Sequence, residues 1–368
     1  MYLLTQIARY FVGVLFIFSG LIKLNDPVGT QIKLEEYFDV FATDIPALAS
    51  LFHGLIPLAL YLSVILCVLE VVLGIALLIK YKLQSTLWVL LLLTVFFTFL
   101  TFYSAYFNRV TDCGCFGDAI KLTPWQSFSK DIVLLILILL LFSQRKTLAE
   151  ETTGKTKSIT MGISLLACIG VAVYAITYMP IIDFLPYKKG ASLPALMQPS
   201  EPLRYAYKME KQGKIVELNA YPTDTTYVFK EMVLLNPQAQ PKVTDYAVWN
   251  KEGDFTKQTF EGNKLLVLIQ NVEKTNVKRI AEINSLIKAL EGTTIETIVL
   301  TSADEASFEA FRHELQLAVP YYFTDATVMK SMSRTNPGLI LMKNGSIKGK
   351  WPAAALPDAK KIRELVAG

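Results

Sequence analysis

Thr111-Asp112-Cys113-Gly114-Cys115-Phe116-Gly117-Asp118 separates two long apolar stretches, residues 83–107 and 128–142. It holds two of the chain's four cysteines, one residue apart. Its two glycines suit a tight turn, and its two aspartates suit water. The stretch reads as a polar turn that carries a thiol pair at one face of a membrane.

The chain on either side fits that reading. It has 368 residues, 52% hydrophobic and 18% charged, where soluble proteins carry nearer one quarter charged residues. The apolar excess lies before residue 182 and leaves enough chain behind it for one soluble domain. A net charge of +4 with no long basic run excludes a nucleic-acid binder. The apolar N-terminus lacks a small-residue cleavage site, so the first span is expected to be retained.

Five segments are long enough to cross a bilayer core of about 30 Å. They are residues 3–21, 51–79, 83–107, 128–142 and 159–182. Lys80 and Lys82 follow the second, and Arg145, Lys146, Lys155 and Lys157 follow the fourth. The positive-inside rule then places the N-terminus in the cytoplasm. The cysteine turn and everything after residue 183 fall on the outer side. In the loop at 23–50, Ile32, Leu34, Tyr37, Phe38 and Phe41 share one face of a predicted helix. That helix either lies on the interface or caps the bundle.

Residues 186–199, with Pro186, Gly190, Pro194 and Pro199, read as a linker. A β-hairpin is predicted to turn at Gln212-Gly213, with a short helix or loop at 219–240. Beyond 243 the elements sharpen. Residues 243–249 read as a strand, and 265–269 as a buried central strand. Helix 276–290, strand 294–300, helix 304–317 and strand 321–323 follow. A hairpin at Asn344-Gly345 and a closing helix at 359–366 complete the order β-α-β-α-β-β-α.

Several residues carry candidate chemistry. Cys113 and Cys115 could be a working dithiol, a structural staple, or part of a metal site with His53 as third ligand. Glu70 lies at membrane depth, where a carboxylate is costly and functional by default. It shares a helix face with Cys67, a face that could border a quinone or proton path, or else be hydrogen-bonded within the bundle. Lys23, Asn25, Asp26 and Asp131 could cluster near the cysteine turn. Cys168, between small residues, reads as helix packing.

The membrane half resembles the DoxX/MauE group of four-helix membrane proteins. The resemblance rests on Phe18-Ser-Gly20, Lys23, Pro27 and Cys113-Gly-Cys-Phe-Gly117. It implies a role in sulfur and disulfide metabolism at a Gram-negative inner membrane, with quinone as a candidate cofactor. Residues 243–368 resemble extracytoplasmic thioredoxin-like proteins. That likeness implies a cis peptide at Asn336-Pro337 beside a partner-docking surface. It departs from the family pattern at 271–275, where the Cys-x-x-Cys should stand; no cysteine follows Cys168. Without a thiolate this domain is expected to perform no dithiol exchange.

The expected architecture is a helical membrane bundle followed by an α/β thioredoxin-like domain. Its parts are a four-helix domain (1–147), a fifth span (158–182), a linker with a hairpin (183–242) and the thioredoxin-like domain (243–368). Two function classes fit: a thiol–disulfide oxidoreductase acting through Cys113 and Cys115 with Glu70 assisting, and a non-catalytic scaffold that binds an envelope or membrane protein near Asn336 and Pro337. Membrane lipid is the other expected partner.

Overall fold

The computed structural model describes residues 2–110, 114, 116–148 and 154–367, in two compact units, 1–184 and 185–368. Cys113 and Cys115 lie outside the described residues.

The first unit is helical: α1 (Tyr2–Asn25), α2 (Pro27–Asp44), α3 (Ala49–Leu55), α4 (Ala59–Leu78), α5 (Leu83–Phe107), α6 (Pro124–Ser143), α7 (Arg145–Leu148) and α8 (Lys155–Tyr178). Among the described residues five helices are long and apolar enough to cross a membrane, and the protein is a multi-pass membrane protein. The fifth stops at Tyr178, short of the expected residue 182. Met179 takes a left-handed backbone at φ 75° and Pro180 follows, and a residue before proline is pushed out of the helical region. Pro57 marks the other irregularity: a short 3-10 turn, Ile56–Leu58, leads into α4.

Helices α1 and α4 meet through glycine. A Cβ on Gly74 would lie 2.7 Å from the Gly13 carbonyl oxygen, and one on Gly20 would lie 2.8 Å from the Val71 nitrogen. Small residues let membrane helices approach to backbone contact, so the pair is locked in register. The helix predicted in the 23–50 loop is α2, and of its two expected places it takes the cap. Asp26 caps its N-terminus by accepting from the Gly29 N–H at 2.9 Å. Tyr37 and Phe41 bury against Leu100, Tyr103 and Val110.

The second unit begins with α9 (Leu193–Leu196). A three-stranded sheet follows, of β1 (Tyr205–Lys211), β2 (Lys214–Leu218) and β3 (Val228–Leu234), in the order β2-β1-β3. The hairpin at Gln212-Gly213 forms as expected. Residues 219–240 contain a third strand rather than only helix or loop, because β3 pairs antiparallel with the free edge of β1.

The larger sheet combines β4 (Trp249–Asn250), β5 (Gly253–Asp254), β6 (Asn263–Ile269), β7 (Ile295–Thr301), β8 (Tyr321–Phe323), β9 (Gly338–Lys343) and β10 (Ser346–Pro352). Four helices connect or close it: α10 (Val277–Leu290), α11 (Glu305–Glu314), α12 (Ala326–Met332) and α13 (Ala359–Ala367). The order is β10-β9-β6-β7-β8-β4-β5, with β6, β7 and β8 parallel and β9 and β10 antiparallel. Leu265 through Ile269 are fully buried because apolar clusters cover both faces of β6. This is a thioredoxin-like arrangement, with α12 added to the predicted order.

Two expectations are corrected. The strand at 243–249 shrinks to Trp249–Asn250; Val243 and Tyr246 are buried but their backbone is irregular. Residues 186–199 are not a free linker. Tyr187 and Leu193 sit in the core cluster with Leu266 and Ile340, and the Leu193 N–H donates to the Gly345 carbonyl at 2.9 Å. The prolines and glycine there serve turns in a packed segment, which composition alone cannot separate from a tether.

Candidate functional site

The clearest site lies in the bundle, where α1, α4, α5, α6 and Phe116 line a cavity of about 30 Å³. Its polar lining is Ser19, Lys23, Glu70, Thr94, Lys130 and Asp131. Glu70 stands eight residues before the end of α4, about 12 Å at the helical rise, so the lining reaches well into the apolar layer.

Each charge has a defined partner. Glu70 Oε1 accepts from Lys23 Nζ, and its Oε2 accepts from the Ser19 hydroxyl at 3.0 Å. Lys23 also lies 4.6 Å from the centre of the Phe97 ring, a cation–π distance. Across the cavity, Asp131 accepts from Lys130 at 2.5 Å and from Thr101 at 2.9 Å. Local sequence aims this second pair. Thr123 and Gln126 form a reciprocal capping box at the start of α6, with Pro124 in its first turn, and the helix they begin carries Lys130 and Asp131 inward.

The glycine lock serves the first pair. A side chain at Gly20 would come within 2.9 Å of Glu70 Cβ, so the bare backbone there lets the Glu70-bearing turn of α4 seat against α1. Thr94 differs from the other lining groups. It is 2% exposed, and its hydroxyl has no hydrogen-bond partner among the described residues. Leaving such a group unsatisfied costs about 1–3 kcal/mol.

Phe116 forms part of the cavity wall and packs against Phe18 with ring centres 5.9 Å apart. It directly follows Cys115 in sequence. Gly114 and Gly117 adopt φ of 63° and 50°, and the Gly117 N–H donates to the Gly114 carbonyl at 3.1 Å. Glycine adopts such left-handed backbone readily, and Lys130 Nζ lies 5.4 Å from the centre of the Phe116 ring.

The sequence-predicted polar cluster is divided. Lys23 and Asp131 reach the cavity. Asn25 instead exchanges two hydrogen bonds of 2.8 Å with the Ile182 backbone, and Asp26 is spent on the α2 cap. Cys67 and Cys168 lie together in an apolar cluster with Leu24 and Ala172. His53 is exposed on α3. Among the described residues no group of three or more His, Cys, Asp and Glu could hold a metal. Lys130, Thr94 and Thr101 escaped the sequence reading; only the adjacency of Lys130 to Asp131 hinted at one of them.

In the second unit the Asn336-Pro337 peptide is cis, as the resemblance implied. Asn336 joins the loop after β6. Its Nδ2 donates to the Asn271 carbonyl at 2.6 Å, and its Oδ1 accepts from the Gln270 N–H at 3.1 Å and the Thr275 hydroxyl at 3.3 Å. A web of amide and hydroxyl hydrogen bonds thus fills the place where thioredoxin-like proteins hold their thiols.

Residues 1–144 match the family described as "Methylamine utilisation protein MauE". The chain is 30% identical over 173 residues to Protein TlpB of Flavobacterium psychrophilum, covering 45% of this chain and 43% of that protein. It therefore spans less than half the length of this relative. A thiol-disulfide oxidoreductase from Bacteroides fragilis NCTC 9343 aligns at 16% identity with a TM-score of 0.28, over 33% of this chain and 96% of that one. The mitochondrial 2-cys peroxiredoxin of Plasmodium falciparum aligns at 13% identity with a TM-score of 0.23, over 46% and 92%.

Proposed function

We propose that this protein is a membrane thiol–disulfide redox protein that works through Cys113 and Cys115 at the outer, periplasmic face of an inner membrane. The observation that carries the reading is Phe116. The residue after Cys115 lines a cavity whose walls hold two lysine–carboxylate pairs, so the thiol-bearing stretch adjoins groups able to handle protons. Oxidation of the pair to a disulfide releases two protons and two electrons. A quinone acceptor would take up the two electrons and two protons, with Glu70 assisting the proton transfer. In the reverse direction a quinol would reduce the Cys113–Cys115 disulfide, and the thiols then pass their two electrons to a partner disulfide, through attack of a thiolate on sulfur.

Serine variants test the thiols. Cys113→Ser or Cys115→Ser is expected to trap a mixed disulfide with a partner, visible on a non-reducing gel, because the resolving thiol is gone. The double variant is expected to accumulate normally yet fail to complement a deletion strain. Full complementation by the double variant would end the oxidoreductase reading.

A second reading has its own support. The soluble unit carries no cysteine and a closed hydrogen-bond web at Asn271, Thr275 and Asn336. A scaffold that binds an envelope or membrane protein beside Asn336 and Pro337 fits those features. On that reading, substitutions near Pro337 outweigh either cysteine in the same complementation assay.

The charge pattern supports a cytoplasmic N-terminus and a periplasmic second unit. A reporter active only outside the cytoplasm is expected to work when fused after residue 368 and to stay silent when fused at Lys82. The opposite pattern would invert the orientation and remove the thiols from the periplasm.

A further inference from the structure

Two features of the bundle cavity remain unused by the thiol chemistry. The first is the buried Thr94 hydroxyl, which faces the cavity without a partner among the described residues. The second is the contrast between the two ion pairs. The carboxylates Glu70 and Asp131 are equally buried, at 3% side-chain exposure, whereas Lys23 is 8% exposed and Lys130 21%. A cavity of about 30 Å³ is large enough for water, and where polar groups such as Thr94 line an otherwise apolar wall, water is held on those left unsatisfied.

We propose that the cavity is a hydrated proton-exchange site within the membrane, in which Thr94 holds water and Glu70 gains and loses the proton. The pair supplies the step. One Nζ–H bond of Lys23 breaks as an Oε1–H bond of Glu70 forms, and the ammonium and carboxylate become amine and carboxylic acid with no change in net charge. Glu70 is faced by Lys23 and Ser19 from α1, Cys67 from its own helix, Thr94 from α5, and Lys130 and Asp131 from α6. Asp26 acts on the same region from the start of α2, and Cys168 from α8. The inference rests on the proposed function only in the role given to Glu70; its infrared readout needs neither Cys113 nor Cys115, so failure of the proton site and failure of the thiol reading are distinguishable.

The test is an infrared pH titration of the full chain in lipid vesicles, in H2O and in D2O. The difference between wild type and Glu70→Gln isolates the Glu70 carboxyl. A protonated-carboxyl band is expected there, moving on transfer to D2O as the proton exchanges with cavity water. Asp131→Asn should leave the band in place. Thr94→Val, which removes the hydroxyl while Glu70 stays, should slow the deuterium shift about tenfold, the effect of one lost hydrogen bond at the upper end of its usual range. If Glu70→Gln does not accumulate, Ser19→Ala serves as the reference, since losing that donor should move the same band. A Glu70 that is a carboxylate at every pH, or an exchange rate that Thr94→Val leaves unchanged, would overturn the proposal.

Discussion

Lys23→Met is expected to deplete the folded protein severely, by about 3–5 kcal/mol of stability, because it leaves the Glu70 carboxylate buried without its ammonium partner. The pair is nearly closed to solvent, at 8% and 3% side-chain exposure, so water cannot take over the role of Lys23. The informative companion is the double variant Lys23→Met, Glu70→Leu. Replacing a buried ion pair with apolar residues of similar volume is often neutral or stabilising, so the double variant should recover the abundance that the single one loses. It should not recover function, since both groups that exchange the proton are gone. Membrane protein levels and thermal unfolding in detergent read the first effect; complementation reads the second. A Lys23→Met variant as stable as the wild type would mean that the carboxyl needs no cation and that the pair does not hold α1 to α4.

A soluble fragment beginning at residue 200 is expected to be much less stable than one beginning at 185. The shorter fragment loses Tyr187 and Leu193, 2% and 0% exposed in the core against Leu266 and Ile340. Burying a large apolar side chain contributes roughly 1.5–3 kcal/mol, so the two together contribute about 5 kcal/mol, a large share of the 5–15 typical of a whole domain. The fragment also loses the backbone bonds from Gly190 to Ile347 and from Leu193 to Gly345. For a unit of this size the midpoint of thermal unfolding should fall by roughly 10–20 °C, measured by circular dichroism on both fragments. Equal midpoints would return residues 186–199 to the status of a tether.

What could be read from the sequence follows the range of the signals. The spans were legible because twenty apolar residues announce themselves locally. The helices of the second unit were legible because Ile280, Ile283, Leu286 and Leu290 repeat at helical spacing and bury together. The Asn344-Gly345 turn carried its own chemistry. The strand at 228–234 was not legible: its exposed apolar residues lack clean alternation, and its pairing with β1 is decided across the sheet. In the site, Glu70 was conspicuous as a carboxylate in an apolar helix, and depth alone demanded a partner. Which cation supplied it was hidden, because Lys23 lies 47 residues away and reads locally as the polar end of a span. Thr94 and Thr101 were invisible among ordinary helix threonines. The cysteine pair that most attracted the sequence reading lies outside the described residues, so the structure speaks to its surroundings through Gly114 and Phe116 only.

The glycine seam between α1 and α4 fixes how the bundle can breathe. With Gly13, Gly20 and Gly74 at backbone contact, those two helices form the stiff half of the molecule and cannot slide without collision. On the opposite wall Thr94, Phe97, Lys130 and Leu134 line the cavity with side chains, which rotate more cheaply than backbones move. Compliance is therefore one-sided. Any widening that admits or releases water falls to α5 and α6, and the half that carries Glu70 acts as the fixed frame against which they hinge.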